Sequence, residues 1–495
     1  MLQLEDKIIV ALAGPIKAGK DFLAAQAPLY QETLLKSLQG NFWVPPELTL
    51  ITGEQDPDLF ERYSFSPESY AEEFQYHCMA RRLAQQNQVD AANGLVLLGQ
   101  PLEIDRWIYA EANRKHFEGS FQTYEMLHQQ IQKRVTSPDL WIYLRIPEDK
   151  MDVLLQRIRE RGRPGEKQFL DDPSYLLNNI RLNDHFFSEV VHQPVITIDA
   201  TDPVFGMPSA DVSIRVEALV PYFQQISREI RKSHPAPRLT LDEWGAVDHN
   251  RAQNAFGEAR RQLRDYLAQH QTILTFAGNV GAGKTGMAEL VQRELEAKLH
   301  RELSGKGNQL GGEDSLLSKF LRDKKRYARA LQEELLPIRL EARARLYALG
   351  ESFTEDRSPV EDQCTFWRRL HQQGHLSDED LRELKALAIE AYSKAPKSDV
   401  FTYLQRSPRE CRRNILMRGR PEEVGAWPEE ELQALDRFYQ ELFTDMEQYD
   451  SHHGPKIILP SEEFDPKNTT HQGWLWQEIL QGLLERDDLK ADRKE

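Results

Sequence analysis

The 495-residue chain is 40% hydrophobic and 29% charged, the balance of an ordinary folded protein of two or three domains and not of a disordered, collagenous or coiled-coil one. Asp and Glu number 79 against 63 Lys and Arg, a formal charge of −16, which opposes binding to a nucleic acid polymer. No apolar run reaches the ~20 residues of a membrane-spanning helix, the acidic start lacks a secretion-signal pattern, and Cys78, Cys364 and Cys411 are too few for a disulfide framework, so a reducing, cytoplasmic setting away from membranes is expected.

The first segment with chemistry spans residues 7–21, an apolar β-branched run followed by Gly14-Pro15-Ile16-Lys17-Ala18-Gly19-Lys20-Asp21. G-x-x-x-x-G-K between a strand and a helix is the pattern of a phosphate-binding loop. Its glycines let backbone N–H groups curl around phosphate oxygens, its Lys reaches the outer phosphates, and a following Ser or Thr holds Mg²⁺. Gly14, Gly19 and Lys20 are in place, but Asp21 stands where the hydroxyl belongs, and Pro28 interrupts the helix pattern behind. Apolar runs at 94–98, 140–144 and 195–198 then alternate with longer helical patterns, which predicts an α/β fold with a parallel sheet covered by helices.

Ser233-His234-Pro235-Ala236-Pro237-Arg238 comes next. Proline and the residue before it resist helix, so the expected division is a first domain over 1–232, a linker over 233–240 and a second domain over 241–495. The second loop, Gly278-Asn279-Val280-Gly281-Ala282-Gly283-Lys284-Thr285, is complete to its hydroxyl. Met287, Leu290, Val291, Leu295 and Leu299 follow at helical steps and predict one buried helix face. Asp356-Arg357-Ser358 follows a helical pattern, with no apolar run to mark a strand before it. The charged residues 485–495 read as a frayed, solvated tail.

Two loops call for a test of internal repetition. Gln75 and Gln332 lie 257 apart (332 − 75), as do Arg82 and Arg339, Asp105 and Asp362, Arg161 and Arg418, Arg163 and Arg420, and Glu166 and Glu423. The loop lysines are 264 apart (284 − 20) and Tyr143 and Tyr403 are 260 apart (403 − 143), so small insertions and losses separate the copies. The chain reads as a duplicated unit.

The ordered set of loop, Gln332, Asp356-Arg357-Ser358, Asp362 and Arg418-Gly419-Arg420-Pro421-Glu422-Glu423 resembles the deoxynucleoside kinases, and Glu54, Gln75, Arg82, Asp105 and Arg161-Gly162-Arg163-Pro164 extend the resemblance to the first half. It implies two tandem P-loop kinase domains packed as a pseudo-dimer on a two-fold surface, with further homo-oligomerisation open. It also implies ATP-dependent phosphorylation of a deoxyribonucleoside 5′-hydroxyl, with ATP and Mg²⁺ as cofactors. By resemblance Glu313 is the base, Thr285 and Asp356 the metal partners, and Lys284, Arg357, Arg418 and Arg420 the cations of the reacting phosphate. Gln332, Arg339 and Asp362 match base-reading positions, and Glu423 a sugar contact. Asn414 stands where many members have a further lid Arg, with Arg412 and Arg413 as substitutes. A thymidylate-type monophosphate kinase and a nucleotide-binding relative without turnover are the competing functions.

The halves are unequal. The first keeps the substrate-side set Glu54, Gln75, Arg82, Asp105 and Glu166, and lid positions Arg157, Arg161 and Arg163, but Gly99-Gln100-Pro101 replaces Asp356-Arg357-Ser358. Two readings follow: Asp21 coordinates Mg²⁺ and both halves turn over, or the first half binds nucleoside or nucleotide without transfer. The concentration of losses on the metal favours the second.

Overall fold

A computed structural model of the chain describes residues 4–52, 57–117, 119–162, 166, 168–205, 212–300, 316–444 and 455–492. It forms two compact units, one ending at Pro237 and the next beginning at Arg238. The last helix of the first unit is Val212–Ser233. The next helix, Leu241–Ala246, starts on a capping box in which Thr240 and Glu243 satisfy each other's backbone N–H groups. Among the described residues no helix is long and apolar enough to cross a membrane.

The first unit is built on a sheet of β1 (Lys7–Ala13), β2 (Leu48–Ile51), β3 (Gly94–Gly99), β4 (Leu140–Arg145) and β5 (Val195–Asp199), in the order β2-β3-β1-β4-β5. Every pairing is parallel. Parallel strands are covered on both faces, and β1 shows it: Ile8, Val10 and Leu12 pack under Leu219, Phe223 and Ile226 of the helix Val212–Ser233. Ala11 and Ala13 face the other way, onto Ile104, Ile108 and Phe186.

The second unit repeats the plan. Its strands β6 (Ile273–Ala277), β7 (Lys298–His300), β8 (Phe353–Asp356), β9 (Val400–Gln405) and β10 (Lys456–Pro460) lie in the order β10-β9-β6-β8-β7, again all parallel. The order is the same as in the first unit, read from the opposite edge. Register confirms the repeat residue by residue: Leu12 pairs with Gly99 as Phe276 pairs with Asp356, and Ala13 pairs with Tyr143 as Ala277 pairs with Tyr403.

Three sequence expectations change. The residues before Arg357 are a strand, β8, fully buried beside β6; Phe-Thr-Glu-Asp lacks an apolar run because Thr354 and Glu355 are buried polar residues. Their cost is met by partners, since Arg343 Nε donates to Glu355 Oε2 at 3.1 Å and Thr275 Oγ1 to Glu355 Oε1 at 2.6 Å. The helix after the second loop ends at Leu295; Glu296 turns left-handed (φ 60°), and Leu299 belongs to β7 instead. The tail is not simply frayed, because the helix Thr469–Asp492 runs through it. Arg486 pairs with Asp399 and donates to Tyr266 Oη at 3.1 Å.

Candidate active site

In each unit the loop leaves the carboxyl end of the central strand, where open α/β sheets place their ligands. In the second unit Lys284 Nζ donates to the carbonyls of Gly278 (2.8 Å) and Asn279 (3.0 Å), so the loop is curled around its own lysine. Gly278 and Gly283 have φ of 149° and 105°, values open to glycine. A Cβ at Gly281 would lie 2.4 Å from the Cys411 carbonyl oxygen, so this place holds only glycine.

A cavity of about 670 Å³ opens beside the loop. Lys284, Thr285, Asp356 and Arg357 line one end, and Gln332, Arg339 and Asp362 also line it, as do Arg418, Arg420 and Glu423. Val280, Gly281 and Gly283 contribute loop backbone, whereas Asn279 and Ala282 are buried behind the loop. Asn279 Nδ2 donates to the Leu432 carbonyl at 2.7 Å. Gln332 and Arg339 reach one wall because both lie on the helix Lys324–Tyr347, two turns apart. Thr285 Oγ1 contacts Asp356 Oδ2, and Asp356 Oδ1 is buried without a hydrogen-bond partner. A hydroxyl against a carboxylate with a spare buried acceptor suits a hard divalent cation. Arg357 has φ 83° and its guanidinium stacks over Phe366 at 4.7 Å.

The lid residues are paired among themselves: Glu423 accepts from Arg418 (3.1 Å) and Arg420 (3.0 Å). Asn414 lines the cavity and donates to the Gly281 carbonyl at 2.8 Å. Neither proposed substitute takes its place. Arg412 is bonded to the carbonyls of Val424 (2.6 Å) and Trp427 (3.0 Å), and Arg413 pairs with Glu410. Glu313 lies outside the described residues.

Three residues carry weight that sequence reasoning did not give them. Glu361, wholly buried, accepts from the N–H groups of Gly278 (3.3 Å) and Ser358 (2.7 Å) and from Tyr439 Oη (2.7 Å). Burial raises its pKa, with the charges of Lys284 and Arg357 pulling back. Its counterpart 257 residues earlier is Ile104, a contrast the repeat alignment already held. Trp367 Nε1 donates to Gln332 Oε1 at 2.7 Å, with Ala110 as counterpart. Glu431 lines the cavity beside Arg369 and Lys324.

The family model described as deoxynucleoside kinase matches residues 13–220 and again 274–481. The chain belongs to the deoxynucleoside kinase family. Among curated relatives it is 26% identical over 210 residues to the deoxyadenosine/deoxycytidine kinase of Bacillus subtilis, covering 42% of this chain and 90% of that one. It is 24% identical over 237 residues to the deoxyguanosine kinase of Lactobacillus acidophilus, covering 44% and 92%. A solved structure of deoxyadenosine kinase from M. mycoides with bound dATP matches at 21% identity and a TM-score of 0.33, over 39% of this chain and 92% of that one. Membership makes the chain a kinase that phosphorylates nucleosides, present as two copies of the family domain.

The first deoxynucleoside kinase copy has its own cavity, about 380 Å³, lined by Gly19, Lys20, Asp21, Gln75, Asp105, Arg161 and Glu166 among others. Lys20 Nζ repeats the self-bonding of Lys284, to Gly14 (2.8 Å) and Pro15 (3.0 Å); burial lowers its pKa. Arg82 lies behind the wall and holds Asp105 (3.0 Å), Gln85 (3.0 Å) and Gln100 (2.7 Å). Gln100 shares the left-handed backbone of Arg357, φ 65°, at the matching place, so the geometry survives where the side-chain chemistry does not. Arg157 lines the cavity, yet it is bonded to the carbonyls of Lys17, Ala200 and Asp202. Glu54 and Arg163 lie outside the described residues.

Proposed function

We propose that the chain transfers the γ-phosphoryl group of ATP to the 5′-hydroxyl of a deoxyribonucleoside, with the chemistry in the carboxy-terminal domain (241–495). The amino-terminal domain (1–232), joined by the linker 233–240, binds nucleoside or nucleotide without transfer. The observation that carries this reading is the Thr285–Asp356 contact with its spare buried oxygen, in one cavity with Gln332 and Arg339. Bound there, Mg²⁺ would neutralise phosphate charge and polarise the reacting bond.

The chain's own residues supply the rest. The loop 278–285 orients the phosphates with its N–H groups, and Lys284 leaves the Gly278 and Asn279 carbonyls to meet them. Arg357, Arg418 and Arg420 face the equatorial oxygens. Gln332 offers an amide to the base edge, its oxygen held by Trp367 Nε1, and the buried Arg339–Asp362 pair lines the same cavity. Glu423 meets the sugar, and Glu313 takes the 5′-hydroxyl proton. The matched relatives act on deoxyadenosine, deoxycytidine or deoxyguanosine, which supports a deoxyribonucleoside as acceptor.

The test is a labelled-phosphate transfer assay from ATP across the four deoxyribonucleosides, run with Lys20→Ala and Lys284→Ala in parallel. Transfer falls by roughly a thousandfold in Lys284→Ala, the scale of a lost transition-state cation, and persists in Lys20→Ala. Full activity in Lys284→Ala would overturn the assignment.

A further inference from the structure

The amino-terminal loop carries a cation that its twin lacks. Lys17 stands at the place of Gly281 (281 − 17 = 264, the offset of the two loop lysines). It adopts φ 66°, a strained left-handed conformation for a residue with a Cβ. In the carboxy-terminal unit that place has no room for a side chain. In the amino-terminal unit Lys17 lines the cavity with Lys20 and Arg161. Its Nζ pairs with Glu166 Oε1 at 3.0 Å, the two side chains being 8% and 4% exposed. Glu166 matches Glu423, which pairs within its own lid instead.

The metal side of the same cavity does not fit a divalent ion. Gly99, at the register of Asp356, has no side chain to offer. Gln100 accepts from Arg82 at 2.7 Å. Asp21 is exposed, and among the described residues no hydroxyl–carboxylate pair like Thr285–Asp356 stands beside it to share an Mg²⁺ ion with water and phosphate oxygens. The altered metal positions, Asp21 and Gly99, and the fixed ammonium of Lys17 all belong to this one unit.

We infer that the amino-terminal unit binds the polyphosphate of an adenine nucleotide without a divalent metal, Lys17 supplying the counter-charge. The inference rests on the reading of this unit as a nucleotide-binding domain. Binding exchanges the partner of Lys17, from the Glu166 carboxylate to phosphate oxygens, in charge-assisted hydrogen bonds. Glu166 therefore competes with the ligand. Gln75 also lines the cavity, with a buried Oε1 that has no hydrogen-bond partner, an acceptor suited to the exocyclic amine of adenine.

The experiment is calorimetric titration of the full chain carrying Lys284→Ala with ATP, once in EDTA and once in Mg²⁺. ATP binds in EDTA, and Mg²⁺ changes its Kd by less than about threefold, small on the tenfold-per-1.4 kcal/mol scale. Adding Lys17→Gly weakens the EDTA binding at least about tenfold, the loss of a charged partner. Adding Glu166→Gln strengthens it, a gain that a misfolded variant cannot produce. Binding that requires Mg²⁺, or that ignores both substitutions, overturns the inference and leaves the unit a nucleotide site, with Asp21 as its metal ligand. No binding in either buffer overturns this inference and the nucleotide-binding reading together.

Discussion

The indole N–H of Trp367 donates to Gln332 Oε1 across 2.7 Å, and both residues are buried. An indole nitrogen only donates, so the amide atom facing it is the oxygen, and the NH₂ of Gln332 is the end left for a ligand. The first copy has Ala110 at that place, and the Oε1 of Gln75 is without a partner. The indole donor therefore fixes the amide in the second copy and has no equivalent in the first.

Trp367→Phe keeps an aromatic ring and removes the donor, a loss of about 1 kcal/mol. The Gln332 amide then turns freely, and base preference relaxes. The ratio of kcat/KM between the best and second-best deoxyribonucleoside contracts about fivefold, as that energy converts. Competition assays with paired nucleosides measure it; an unchanged ratio would show that Trp367 only packs.

Glu361 joins three donors at the root of the loop: Gly278 N–H, Ser358 N–H and Tyr439 Oη. Glu361→Ala leaves all three unpartnered and costs about 3 kcal/mol or more of stability, seen as a lower denaturation midpoint. Glu361→Gln keeps the shape but turns an NH₂ toward a donor. Phosphate transfer falls about tenfold, while KM for nucleoside stays within about twofold, because the base end is untouched. A parallel rise in KM would place the effect elsewhere.

Glu431 ties acid stability to the cavity. Burial pushes its carboxyl pKa up, but the Arg369 hydrogen bonds, the Lys324 charge and Gln373 together hold it below the usual range. A carboxyl lowered on folding adds stability above its unfolded value, and that stability is lost as pH falls through the folded value. In thermal melts from about pH 7 down to about pH 3, the native chain loses more of its midpoint than Glu431→Gln, and the two curves approach one another at the acid end. Curves that stay parallel would dissociate Glu431 from the acid limb.

Much of the molecule could be read along the chain because its signals are local. The loops 14–21 and 278–285, the alternation of strand and helix, and the 257-residue spacing of Gln, Arg, Asp and lid positions each depend on near neighbours or on a repeat that can be counted. That was enough to set the fold class, the duplication and most of the polar side chains that line the second cavity. Packing decided the remainder. β8 was invisible because its buried Glu355 is paid for by Arg343, twelve residues away on another element. The helix after the second loop stopped short because Glu296 turned left-handed. The weight of Glu361, Trp367 and Lys17 rests on which donors or carboxylates stand opposite them in space. A charge or an amide in a sequence has no environment, and only the folded chain removes its water and gives it a partner.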